Sequence, residues 1–220
     1  MGTMNGTLPW YVARSAGLIA WALLTASVLW GLAMSTKARA FGKRPRPNWM
    51  LDLHRYLGGL AAIFTGVHVV AILLDTYVHF DLVSVLVPFA THWRPTAVAW
   101  GIASLYLLLA VELTSLARRK LPKRLWRATH FASFPLFLSA TVHALTAGTD
   151  GGSWVFELVA TTAILSVAGL TVLRISQASQ APAVRPARIP VAPAATVPAA
   201  TVPAATVPAL GEWPAAPRSR

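Results

Sequence analysis

Four histidines lie in apolar stretches of the chain, and they form two pairs with similar spacing. His54 and His68 are 14 residues apart, and His130 and His143 are 13 residues apart. On an α-helix, 14 residues cover about 21 Å and four turns less about 40°, so His54 and His68 share a face near opposite ends of a span. Ionisable side chains are costly inside a bilayer, so a histidine within a membrane span indicates a functional role. A structural hydrogen bond to a neighbouring helix would account for any single histidine equally well.

These histidines sit on segments that have the length and composition of membrane spans. The chain has 220 residues, of which 55% are hydrophobic and 12% charged, and this is too apolar for an ordinary soluble domain. Five apolar segments are long enough to cross a bilayer, so the sequence predicts an all-α, polytopic bundle of five transmembrane helices. The predicted spans are residues 10–34, 51–75, 97–116, 126–147 and 154–173.

The charged loops assign one orientation to all five spans. Basic residues cluster at 37–55 and 118–127, and Arg174 follows the last span, whereas the loop at 75–96 carries a single arginine. The positive-inside rule therefore predicts a multi-pass protein of the cell membrane, with its N-terminus outside and its C-terminus in the cytoplasm. The charge of +12 lies mostly in loops beside the lipid, so we expect no nucleic-acid partner.

This topology makes the two histidine-bearing spans parallel. His54 and His130 then share the cytoplasmic depth, and His68 and His143 share the outer depth. Haem suits such pairs, because bis-histidine ligation needs one neutral imidazole on each side of a flat macrocycle. The chain has no cysteine, which excludes disulfides, thiolate-ligated haem and thiolate-ligated iron–sulfur clusters.

Zinc and purely structural histidines are the two alternatives to haem. A structural zinc site takes four protein ligands, and each depth offers two imidazoles without a nearby carboxylate or thiolate. Histidines that only hydrogen-bond to neighbouring helices need no cofactor at all. The haem interpretation also requires a distortion, because 13 residues leave His130 and His143 about 140° apart on an ideal helix. Pro135 lies between them, and we expect a kink or local rewinding there.

Several further residues are candidates for contact with the macrocycle or its propionates. Arg55 and Arg127 lie at the cytoplasmic ends of the histidine spans, and Arg14 lies inside the first span near its outer end. A guanidinium group pairs well with a carboxylate, although topology or snorkelling would also account for these arginines. Three glycines in the second span remove bulk for a macrocycle or, equally well, for helix packing. They are Gly58, Gly59 and Gly66.

The motifs around the histidines resemble those of the ferric-reductase-like transmembrane domain family. Leu-His-Arg-Tyr-Leu-Gly surrounds His54, and Trp-Arg-Ala-Thr-His ends at His130. This group includes ferric reductases, NADPH oxidases and the haem subunit of the bacterial methionine sulfoxide reductase system. The resemblance covers about residues 10–173. It implies two b-type haems, the inner one held by His54 and His130 and the outer one by His68 and His143, which pass single electrons across the membrane.

The C-terminal part of the chain differs from the larger members of that family. From about Gln177 it is rich in Ala, Pro, Val and Thr, with Val-Pro-Ala-Ala-Thr repeated through 197–209. Prolines at this spacing predict a disordered cytoplasmic tail, and no Gly-rich dinucleotide fingerprint occurs in it. We therefore divide the chain into a haem-binding domain at 1–176 and a tail at 177–220. Many relatives have six spans where this chain has five.

These observations predict a transmembrane electron conduit, the haem-binding membrane subunit of an oxidoreductase. A separate cytoplasmic flavoprotein would reduce the inner haem, and the outer haem would reduce an external acceptor, either ferric iron or a protein. The flavin belongs to that partner, and lipid surrounds the bundle. Two alternatives are a non-redox membrane anchor with structural histidines and a quinol-oxidising cytochrome b that works in the opposite direction.

Overall fold

The computed structural model describes residues 4–40, 48–76, 78–148 and 151–179, with backbone only at 4–7 and 37–40. Most of the first basic loop and the predicted tail from residue 180 onward lie outside the described residues. Seven helices make up this part of the chain, and it contains no strand. They are α1 (Met4–Ala40), α2 (Asn48–Leu74), α3 (Leu82–Leu86), α4 (Pro95–Leu116), α5 (Lys123–Phe131), α6 (Ser133–Ala147) and α7 (Trp154–Ser179).

Four of these helices are long and apolar enough to cross a membrane: α1, α2, α4 and α7. Large apolar side chains are exposed along them, for example Ile63 on α2 and Leu165 on α7, which are 62% and 66% exposed. Lipid-facing surfaces have this composition, because side chains there meet acyl chains rather than water. The prediction of an all-α, multi-pass membrane protein is confirmed.

The fourth predicted span is an interrupted helix. α5 ends at Phe131, α6 begins at Ser133, and Ala132 joins them. Pro135 has no N–H group, and its ring crowds the carbonyl of the residue four positions earlier, which is Phe131. The N–H of Ala132 donates to the carbonyl of Thr129 at 3.0 Å, so the backbone tightens by one residue at this point. The distortion falls on the N-terminal side of Pro135, where the sequence predicts a kink or rewinding.

The helices pack in two antiparallel pairs, α1 with α2 and α4 with α6. α1 also contacts α6 and α7, and its residues Trp21, Leu24 and Val28 form the middle of the buried core. The indole N–H of Trp21 donates to the hydroxyl of Thr141 at 3.0 Å, and Thr141 is only 1% exposed. This buried bond ties α1 to α6.

The histidines lie on α2, α5 and α6, and α2 is not a close neighbour of the other two helices in this packing. Among the described residues, the main backbone contacts of α2 are with α1, α3 and α4. The space between α2 and α6 is therefore bridged by side chains rather than filled by helix–helix contact. A site that receives groups from both helices needs this arrangement.

The outer loop between α2 and α4 folds onto the bundle. α3 is five residues long and contacts α2 and α4, so the short apolar stretch at 82–89 does not cross the membrane. Asp81 caps it by accepting the N–H of Ser84 at 2.8 Å. Hydrogen bonds from the Ser84 side chain and backbone hold the pKa of the Asp81 carboxyl below its usual value.

Candidate functional site

The four predicted histidines meet in two pairs, His54 of α2 with His130 of α5 and His68 of α2 with His143 of α6. The rings of His54 and His130 have their centroids 6.0 Å apart, and those of His68 and His143 are 6.2 Å apart. In both pairs the ring planes cross at 78°. The spacing of the histidines along each helix thus produces two similar sites, one near each end of the bundle.

The separation of the rings suits a single metal ion between two imidazoles. A metal–nitrogen bond of about 2 Å on each side, plus about 1 Å from each nitrogen to its ring centre, gives about 6 Å between centroids. Among the described residues, no three His, Cys, Asp or Glu side chains converge to hold a metal ion. The described residues therefore offer two axial ligands per site, which fits a metal whose remaining ligands come with a macrocycle.

Three of the four imidazoles are fixed through their Nδ1 atoms by main-chain carbonyls of neighbouring helices. His68 contacts the carbonyl of Ala13 at 2.7 Å, His143 that of Ala97 at 2.8 Å, and His54 that of Ser27 at 3.1 Å. A carbonyl oxygen only accepts, so each of these Nδ1 atoms carries the proton, and the unprotonated Nε2 is left to bind a metal. These contacts leave Nε2 available as a ligand atom, and they are also the hydrogen bonds that purely structural histidines would make.

His130 is held differently from the other three. Its Nδ1 is buried and has no hydrogen-bond partner within the described part of the chain. The ring stacks on Trp126, with centroids 5.2 Å apart and planes 22° from parallel, and the guanidinium of Arg118 lies 4.6 Å above the Trp126 ring. The ring of Trp126 therefore lies between His130 and Arg118, which begins the basic segment at 118–127.

A cavity of about 260 Å³ adjoins the His68–His143 pair. His68 and His143 line it together with apolar side chains from α1, α2, α4 and α6, and its lining also includes Arg14 and Asp75. Asp75 is 8% exposed; its Oδ2 accepts the N–H of Val78 at 3.3 Å, and its Oδ1 has no partner in the described residues.

The structure brings one of the three predicted arginines to a histidine pair. Arg14 lines the outer cavity, where its guanidinium also lies 5.3 Å from the centre of the Trp10 ring. Arg55 instead points to the surface, 3.7 Å from Asp52, and both side chains are more than 60% exposed. Arg127 is also exposed. An exposed pair such as Arg55–Asp52 contributes little stability, so it constrains the arginine weakly.

The glycines singled out on α2 have different surroundings. A Cβ atom at Gly59 or Gly66 would have no neighbour within 4 Å, so open space surrounds both positions. At Gly58 it would lie 2.7 Å from Oε1 of Glu112, which fits helix packing. Open space at Gly59 and Gly66 is compatible with a macrocycle against this face of α2.

Glu112 is a candidate that the sequence reasoning missed. It is half-buried on α4 and close to Gly58, which also lies close to the hydroxyl of Ser27; that hydroxyl is 3.3 Å from Nδ1 of His54. The signal was available, because Glu112 is an acidic residue within an otherwise apolar span, and such residues generally have a role.

Comparison with known proteins gives one match. The family described as ferric reductase like transmembrane component matches residues 16–141, which is more than half of the chain. The matched region contains three of the four histidines and ends two residues before His143. No curated protein and no solved structure matches the chain.

Proposed function

We propose that this chain, which belongs to the ferric reductase-like transmembrane component family, carries electrons across the membrane through two b-type haems. The observation that carries the proposal is the pair of ring separations, 6.0 Å for His54–His130 and 6.2 Å for His68–His143. Two equivalent sites at two depths form the arrangement that a transmembrane relay needs.

In this proposal α5 and α6 together form one interrupted span, so the bundle has five. The N-terminus lies outside and α7 ends in the cytoplasm. The basic residues that support this orientation are all exposed and near the His54–His130 end: Arg118, Arg119, Lys120, Lys123, Arg124 and Arg127. His54 and His130 then form the inner site, and His68 and His143 form the outer site.

The protein supplies axial ligands and orientation, whereas a bound haem would supply an iron that changes between the ferric and ferrous states. Nε2 would be the ligand atom of His54, His68 and His143, because carbonyls hold their Nδ1 atoms. The two imidazoles at each site would hold a haem between them. The chain therefore favours electron transfer over binding of a substrate at the metal.

The cytoplasmic donor in this proposal is an acidic flavoprotein. Exposed positive charge on the 118–127 loop attracts such a partner and raises the encounter rate. Trp126 connects that loop to the inner site, because it lies under Arg118 and stacks on His130. A donor that docks on this basic segment would thus be close to Trp126, which contacts the proposed ligand His130.

The acceptor, ferric iron or a protein, would approach the outer pair. Arg14 and Asp75 both line the cavity beside that pair, and Arg14 would pair with a propionate there. Haem contact by Arg55 and Arg127 at the inner site requires both side chains to leave their surface positions.

Haem quantification of the purified full-length protein tests this function. We expect two b-type haems per chain, and about one in each of the variants His54→Ala and His68→Ala. His92→Ala is the control, since His92 is an exposed histidine outside both pairs, and it should keep both haems. A protein without haem after expression with adequate haem supply refutes the relay and favours the non-redox anchor.

A second measurement distinguishes the outward relay from the quinol-oxidising cytochrome b. Reduction of the haems by a flavoprotein donor, followed by oxidation on addition of an external acceptor to sealed vesicles, supports outward transfer. Rapid haem reduction by a quinol, with no response to the flavoprotein donor, would favour the quinol-oxidising cytochrome.

A further inference from the structure

Three glycines contact the histidines from neighbouring helices. A Cβ atom at Gly17 of α1 would lie 2.8 Å from Nδ1 of His68, and one at Gly101 of α4 would lie 2.7 Å from Nδ1 of His143. At Gly31 of α1 it would lie 3.2 Å from Cε1 of His54. In each case the missing side chain leaves the space that the imidazole ring occupies.

Each glycine is paired with a carbonyl in the same register. The carbonyls that hold Nδ1 belong to Ala13, Ser27 and Ala97, and each lies four residues before its glycine. In an α-helix this carbonyl is the acceptor for the N–H of the glycine itself. The imidazole ring therefore reaches a carbonyl oxygen that a side chain at the glycine position would block sterically.

We propose that Gly17, Gly31 and Gly101 are positioning residues that seat the haem ligands. Each seat combines an open helix surface with the carbonyl four residues earlier, and it fixes both the rotation and the tautomer of one imidazole. A hydrogen bond from Nδ1 to a carbonyl also raises the basicity of Nε2, which strengthens its bond to a metal. This inference rests on the proposed function.

The fourth histidine has no such seat. α4 runs antiparallel to α5 and α6, so the α4 position that corresponds to His130 lies 13 residues after Gly101, at Thr114. The Thr114 hydroxyl donates to the carbonyl of Ala110 at 2.6 Å, which is again the carbonyl four residues earlier. Thr129 donates to the same hydroxyl at 3.1 Å. The Thr114 hydroxyl thus bonds to the carbonyl whose counterparts, at Ala13, Ser27 and Ala97, hold the other three histidines.

At the outer site both histidines are therefore held by a carbonyl beside a glycine, and at the inner site only His54 is. Substituting a glycine by alanine should affect only the site whose ligand it seats. The effect should be largest at Gly101 and Gly17, where the added carbon would come within 2.6 Å and 2.8 Å of the ring, and smaller at Gly31, at 3.2 Å. Overpacking at the two closer positions should lower haem affinity at the outer site by about tenfold or more.

The test uses full-length Gly101→Ala, Gly17→Ala and Gly31→Ala, with Gly59→Ala as the matched control because its added carbon meets nothing within 4 Å. Haem per chain and the redox titration of each variant are measured. We expect Gly101→Ala and Gly17→Ala to retain about one haem, Gly31→Ala to lose haem more weakly, and Gly59→Ala to match the parent protein.

Double variants identify the affected site. Adding His68→Ala to Gly101→Ala should cause no further loss, whereas adding His54→Ala should leave no haem. Retention of both haems with unchanged midpoint potentials in Gly101→Ala overturns the inference. So does parallel loss of both haems in all three glycine variants, which would indicate general helix packing. A parent protein without haem would instead refute the proposed function, so the two failures are distinguishable.

Discussion

Replacing Trp126 by leucine should selectively weaken the inner haem site. His130 has no partner for its Nδ1 among the described residues, and its stacking contact with Trp126 at 5.2 Å is the contact that orients the ring. Aromatic pairs of this kind contribute about 0.5–1.5 kcal/mol beyond area burial. At about 1.4 kcal/mol per tenfold, this predicts a roughly 2- to 12-fold faster loss of haem from the inner site.

Transfer of haem to an excess of a soluble haem-binding protein measures that rate. The experiment is best made in a His68→Ala background, where only the inner haem should remain. Trp100→Leu provides the matched control, because Trp100 is 41% exposed on α4 and lies outside the histidine pairs. If the inner haem of Trp126→Leu leaves no faster than that of Trp100→Leu, stacking does not position His130.

Three more predictions follow from the same contacts. Thr141→Val leaves the buried indole N–H of Trp21 without an acceptor, so it should lower the free energy of unfolding by about 1–3 kcal/mol in a detergent melt. Thr162→Val is the control, because the Thr162 hydroxyl is exposed and donates to its own helix. It should change the free energy of unfolding much less. Charge reversal at the exposed Arg119 and Lys120 should slow haem reduction by an acidic donor at low salt. The difference in rate from the parent protein should disappear as ionic strength rises. Equal rates at low salt would show that the donor docks elsewhere. Thr114→Gly should free the Ala110 carbonyl for Nδ1 of His130 and slow haem loss from the inner site, whereas an unchanged or faster loss would argue against a vacant seat at this position.

The helical bundle and the histidine pairs could be predicted from the sequence for one reason. Burial of an ionisable group in an apolar span is costly, so ionisable residues are rare there and those present generally have a function. The spacing of histidines along a membrane span therefore indicates a site, whereas the same spacing in a soluble helix would not. Intervals of 14 and 13 residues, combined with the alternation of basic loops, were sufficient to place His54 opposite His130. Even the distortion near Pro135 had a local cause, because a missing donor affects only the preceding turn.

The glycine seats could not be predicted in the same way. Glycine is common in membrane helices for general packing, so neither Gly17 nor Gly101 stands out in the sequence. Their role depends on which face of α1 or α4 meets a histidine, and this is set by tertiary packing. The sequence instead drew attention to glycines beside the histidines on α2, of which two face open space. The direction of a surface arginine was unpredictable for a related reason, since the flexible side chain of Arg55 is directed by nearby charge as much as by helix register.

The contacts of the glycine-flanked histidines predict that two sites of similar geometry differ in strength. Both ring pairs have a plane angle of 78°, yet the outer rings are each held by a carbonyl, whereas one inner ring rests on a tryptophan below an exposed arginine. A carbonyl within a packed helix cannot move without the helix, but Arg118 lies in the loop before α5 and Trp126 lies on α5, which has only nine residues. A partner bound to the basic segment at 118–127 would therefore contact the one ligand whose orientation depends on side chains alone. The inner site is then the one whose redox potential should respond to docking, and the outer site should keep its potential whether or not a donor is bound.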